Sequence, residues 1–92
     1  MQKRIECKVS GRVQMVMYRD FVTRNARKLG ITGEVKNNPD GTVSVVAEGE
    51  EAALNQLISA LHRGSIFARV EHVDVSWREA SAAFAKFLIR YK

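Results

Sequence analysis

A chain of 92 residues, 46% hydrophobic and 27% charged, has the balance of one folded domain over residues 1–92 and not of a disordered tail. It has no apolar run long enough to span a bilayer, and its start, MQKRIECKV, lacks the apolar core of a secretory leader. The net charge of +5 admits a nucleic acid or a small anion as partner, and the one cysteine, Cys7, excludes an internal disulfide and points to a reducing cytoplasm.

Residues Lys3 to Val9 alternate, with Ile5, Cys7 and Val9 on one face and Arg4, Glu6 and Lys8 on the other, which predicts a half-buried strand. After the loop GRVQMVMY the period changes. Val22, Ala26 and Leu29, with Phe21 beside them, share a helical face from about Arg19. Asp20 near its start and Arg27 and Lys28 near its end suit the helix dipole, and Gly30 is placed to stop it. Ile31 to Asn37 reads as a second strand and Thr42 to Glu48 as a third, with Val43, Val45 and Ala47 inward. NNPDG between them is a turn, because Pro39 presets its backbone and Gly41 tolerates positive φ. Glu50 and Glu51 open a second helix with Leu54, Leu57, Ile58 and Leu61 as its stripe and Gly64 as its stop. Val70 to Trp77 alternates as a fourth strand, with Val73, Val75 and Trp77 on one face, and Phe84 to Tyr91 is a last extended segment for a sheet edge.

The order βαββαβ plus a strand predicts an α+β, ferredoxin-like sandwich: an antiparallel sheet with both helices on one face and an extra C-terminal strand. In that topology the first and second strands run parallel, with the third between them. Their C-terminal ends share one edge, so Arg19, at the head of the first helix, and Asn37, at the end of the second strand, are expected to converge. A loop feeding a helix N-terminus can curl its N–H groups around an anion, and a guanidinium pairs with two phosphate oxygens at once. Taken singly, Arg19 is an ordinary solvated arginine and Asn37 an ordinary turn residue; together at one edge they make a phosphate cradle. The glycine–lysine loop of ATP and GTP sites is absent.

GRVQMVMYR resembles the acylphosphatase signature G-x-V-Q-G-V-x-[FY]-R, matching at Gly11, Val13, Gln14, Val16, Tyr18 and Arg19. GEVKNNPDGTVSVVAEG is similar to the same family's second motif at Gly33, Val35, Asn37, Gly41, Val43 and Gly49, and FARVEHVDVSW and FLIRY look like its last strands. The resemblance spans nearly the whole chain. It implies the same fold and the hydrolysis of acyl phosphates to carboxylate and phosphate, with no cofactor. It further implies that Arg19 and the N–H groups of Gln14, Met15, Val16, Met17, Tyr18 and Arg19 hold the phosphoryl group, while Asn37 orients the attacking water. Inorganic phosphate or sulfate is then the expected bound anion, and a monomer the default state.

Two positions depart from the pattern. Met15 stands where the signature has glycine; if that residue takes a positive φ, methionine costs roughly 1 kcal/mol and crowds the anion. Glu34 stands where an aromatic is usual, but alternation directs it opposite to Val35. A weakly active member that mainly binds an anion is the alternative these departures raise.

The remaining chemistry-bearing residues have plainer readings. Cys7 lies on an inward strand face as a small core residue. His62 and His72 have no partner at ligand spacing, so no metal is implied. A rival function on the same topology is RNA binding, but the expected aromatic run is missing and the third strand, TVSVVAE, has nothing to stack a base on.

Overall fold

The computed structural model describes residues 1–91. The elements are β1 (Gln2–Arg12), α1 (Tyr18–Lys28), β2 (Thr32–Asn37), β3 (Val43–Glu50), α2 (Glu51–Arg63), β4 (Arg69–Glu79) and β5 (Phe87–Arg90). The sheet order is β4-β1-β3-β2-β5. β3 pairs antiparallel with both β1 and β2, so those two run parallel and end at one edge, as the periodicity predicts. The expectation of an antiparallel sheet holds for the first four strands; β5 joins β2 in parallel register, Gly33 with Phe87 through Lys36 with Arg90, which makes the sheet mixed. The reversal has a simple cause. The segment after β4 must travel from one sheet edge to the other, and it arrives at the edge running the same way as β2.

Both helices cover one face. Ile5, Cys7 and Val9 of β1, Val35 of β2 and Val43, Val45 and Ala47 of β3 form one core with Val22 and Ala26 of α1 and Leu54, Leu57 and Leu61 of α2. Removing such surface from water is the main force assembling the domain. Cys7 is part of this core, and burial pushes its thiol up to about 12, so it carries no thiolate near neutral pH. The face of β4 is less buried than its alternation suggests. Val73 and Val75 are only partly covered and Trp77 is 44% exposed, because β4 is an edge strand that the helices only partly roof.

β1 is longer than its alternating core and reaches Arg12 through a bulge between Ser10 and Gly11. Gly11 has φ 123, and a Cβ there would run into the backbone of Arg69 and Glu71 on β4. Only glycine fits, and the kink it permits releases the chain toward the head of α1.

The segment 80–86 crosses the sheet face away from the helices. Glu48 fastens it there: its buried carboxylate accepts from Arg4 Nε (2.7 Å), the Ser81 N–H (3.0 Å) and hydroxyl (3.0 Å), and the Ala82 N–H (2.9 Å). Arg4 also lies 5.5 Å from the centroid of the Phe84 ring. Burial alone would raise the pKa of this carboxyl, but the hydrogen bonds from Ser81, Arg4 and Ala82 outweigh it and hold the group at about 2. Glu48 therefore binds its proton less readily folded than unfolded. Its stabilising contribution is full above the ordinary glutamate value of about 4.5 and is lost as pH falls toward about 2. Glu48→Ala is expected to cost about 3 kcal/mol at neutral pH and to flatten the loss of stability over that acid range, both readable by urea titration at several pH values. A variant with the wild-type acid profile would show that this carboxylate does not anchor the segment.

Candidate active site

The loop from Val13 to Met17 connects β1 to α1 at the edge where β1 and β2 end. Met15 has φ 59 and Met17 φ 60, both left-handed. The strain expected at Met15 is therefore present, and it recurs at Met17, a position the signature leaves free. The Met15 side chain is 98% exposed and stands at the edge of the cleft around Arg19, which it helps to line.

The backbone there is unusual in what it lacks. Among the described residues, the N–H groups from Met15 to Asp20 donate to no protein acceptor, and Met17, the cap of α1, provides no side-chain bond. The first turn of any helix leaves such donors free, but here the two left-handed residues add loop donors to the same concavity. Positive potential at the head of α1 acts in the same direction.

Arg19 sits in that first turn. Its guanidinium lies 5.1 Å from the centroid of the Tyr91 ring, and among the described residues no carboxylate is within ion-pair distance of it. Its neighbour Asp20 is turned to Arg24 instead, at 3.0 Å. A guanidinium stacked on a ring keeps its in-plane donors available for an anion.

Asn37 ends β2 in register with Val43, on the same face as Val35, and thus points toward the helix layer. Its Oδ1 is buried and, among the described residues, is the one such side-chain atom without a hydrogen-bond partner. Burying a carbonyl oxygen unpaired is costly, so an acceptor kept that way is ready for an external donor.

Asn37 is not among the residues lining the cleft around Arg19, but two contacts tie the surroundings of the one to those of the other. Gln14 Nε2 donates to the carbonyls of Asn38 and Thr42, each at 2.8 Å, which ties the loop to the turn that follows Asn37. On the other side, Asn37 and Tyr91 each lie one residue beyond the last β2–β5 pair, Lys36 with Arg90, and Tyr91 carries the Arg19 contact. The amide of Gln14 is thus spent on the protein, leaving only its N–H for an anion. Gln14→Ala removes both bonds at once. We expect a loss of about 1–2 kcal/mol in stability and about tenfold in turnover, measured by thermal melting and by hydrolysis of benzoyl phosphate.

The other cradle residues divide between backbone and side-chain roles. Tyr18 is buried, its hydroxyl donates to the Leu61 carbonyl at 2.8 Å, and burial pushes its pKa up; its ring is core and only its N–H faces the loop. Val16 packs against the core, and its carbonyl accepts from the Ser65 hydroxyl at 3.3 Å, fixing the loop to the segment after α2. Glu34 faces away from the helices and pairs with Arg90 at 3.1 Å, so its charge does not oppose an anion at the rim. Tyr91, Val13 and Ile89, which complete the cleft around Arg19, drew no functional reading from the sequence. The signal available was Tyr91's position just past a strand at the sheet edge.

Among the described residues no group of three or more His, Cys, Asp or Glu side chains is arranged to hold a metal ion. No helix is long and apolar enough to cross a membrane.

Comparison with known proteins bears on the family and the fold. The Acylphosphatase family model matches residues 5–89. The acylphosphatase of Salinibacter ruber is 48% identical over 89 residues, covering 97% of this chain and 94% of the relative. That of Deinococcus radiodurans is 51% identical over 76 residues, covering 83% and 87%. The crystal structure of acylphosphatase from Bacillus subtilis superposes with a TM-score of 0.93 at 37% identity, covering 97% of this chain and 99% of that one. The family-model match over residues 5–89, these relatives and the superposition, with a signature loop opening onto a helix head and a carboxamide at the end of the parallel strand β2, place the chain in the acylphosphatase family.

Proposed function

We propose that this chain hydrolyses acyl phosphates, splitting the mixed anhydride to a carboxylate and phosphate. Arg19 and the N–H groups from Met15 to Arg19 hold the phosphoryl oxygens. Asn37 accepts a hydrogen bond from water through Oδ1 and aims that water at phosphorus. The bond from water oxygen to phosphorus forms as the phosphorus–acyl oxygen bond breaks. The carboxylate leaves with its electron pair, and a phosphoryl oxygen takes the proton of the water. A carboxylate whose conjugate acid has a pKa of about 4 needs no general acid to depart. Phosphoryl transfer depends mainly on alignment and charge stabilisation, so an arginine, a row of N–H donors and an amide can carry it. The single buried thiol of Cys7 suits a reducing cytoplasm as the setting.

The observation carrying this reading is the buried, unpartnered Asn37 Oδ1 beside the turn that Gln14 fastens to the loop. The RNA-binding alternative is disfavoured. The sheet face away from the helices presents Arg4, Glu6 and Lys8 of β1 and Ser44, Val46 and Glu48 of β3, with no aromatic among them, and the segment 80–86 lies across part of it. Incubation with benzoyl phosphate tests the proposal. Loss of the acyl phosphate above the spontaneous rate supports it; no loss, with salt-sensitive binding of single-stranded RNA, overturns it.

A further inference from the structure

The cleft at Arg19 is larger than a phosphoryl group needs. It encloses about 500 Å³, within the range of roughly 300–1,000 Å³ usual for small-molecule sites. Its floor is Val13 and Ile89, and its walls are Met15, Met17 and the Tyr91 ring. Met15, Met17 and Tyr91 are 98%, 70% and 77% exposed, an uncommon display of large apolar side chains around one opening. Charge is scarce by comparison. Among the described residues Arg19 is the one cation lining the cleft, and Asp20, the one anion, is engaged by Arg24.

On the reading of the site given above, the phosphoryl group consumes the guanidinium and the N–H donors. What remains for the acyl portion of the substrate is the apolar wall. Methionine at position 15, where the family signature has glycine, enlarges that wall with a flexible, polarisable side chain that moulds to an irregular ligand. Both methionines are left-handed and exposed at the mouth of the cleft, beside N–H groups that donate to no protein acceptor among the described residues. One short loop thus presents N–H donors to the phosphate and an apolar edge to whatever extends from it.

We propose that the rim formed by Met15, Met17 and Tyr91 selects acyl phosphates with an extended uncharged acyl chain over short or anionic ones. An alkyl chain gains by covering exposed thioethers and ring, whereas a second carboxylate would meet no further cation among the described residues lining the cleft. The gain per methylene is that of partial burial, because one side of the chain stays in water.

The test is a series of straight-chain substrates: acetyl, butyryl and hexanoyl phosphate. Their leaving carboxylates have similar basicity, so chain length varies alone. Succinyl phosphate, similar in length to butyryl phosphate but ending in a carboxylate, probes charge. We expect kcat/KM to rise about twofold per methylene and succinyl phosphate to fall about tenfold below butyryl phosphate. The double variant Met15→Gln, Met17→Gln keeps side-chain length and removes apolarity. The hexanoyl-to-acetyl ratio of kcat/KM is expected to fall at least about fivefold in it, whatever happens to the absolute rates. A flat or falling series in the parent, or an unchanged ratio in the variant, overturns the inference while leaving acyl phosphate hydrolysis intact. Failure to hydrolyse any of the four substrates overturns both.

Discussion

Arg19→Ala is expected to lower kcat/KM for benzoyl phosphate by about 10³-fold. Among the described residues the guanidinium is the one cation lining the cleft, and no carboxylate competes for it. Removing it leaves the backbone donors to bear the charge of the transferring group alone. Arg19→Lys restores the charge without the two-pronged geometry and is expected to recover less than about tenfold of that loss. The fold tolerates either change, because the guanidinium supports little besides its stacking on Tyr91, a contact between partly exposed groups worth about 0.5–1 kcal/mol. Kinetics alongside a thermal melt separate the two effects. An alanine variant active within tenfold of the parent would mean that the phosphoryl group is held elsewhere.

Asn37→Ala is expected to reduce kcat by about 10²–10³-fold while KM changes little, because in the proposed mechanism its carbonyl addresses water and not the bound phosphoryl group. The same change has an unusual consequence for stability. Most truncations of half-buried residues destabilise, but here a buried acceptor without a partner is deleted. The melting temperature is therefore expected to hold or rise, because the desolvation cost of that oxygen disappears. An inactive variant more stable than its parent is the mark of a group kept for chemistry at the expense of folding. Raised KM with retained kcat would instead assign Asn37 to substrate binding.

The architecture was legible because each local signal agreed with the global one. Alternation at Ile5, Cys7 and Val9, the stripe from Val22 to Ala26, the NNPDG turn and the glycines closing each helix all lie where the structure uses them. Topology then makes β1 and β2 parallel, so that the loop leading to Arg19 and the end of β2 at Asn37 leave the sheet at the same edge. The reading weakened wherever the outcome depended on a distant segment. Trp77 has the periodicity of an inward residue but lies at an edge that the helices only partly cover. Phe84 to Tyr91 shows an extended pattern but not its direction, and only Phe87–Arg90 pairs.

The sequence by itself determined the layers and the placement of β3 between the parallel β1 and β2, because those follow from periodicity, turn chemistry and handed connections over short spans. Tertiary structure alone decided where individual side chains go. It spends the Gln14 amide on two carbonyls beyond Asn37, sends the Tyr18 ring into the core, leaves Met15 exposed and buries Glu48 beneath residues more than thirty positions away. Each of these outcomes is a competition among partners brought together only when the chain has closed, and a linear pattern holds no record of which partner is nearest.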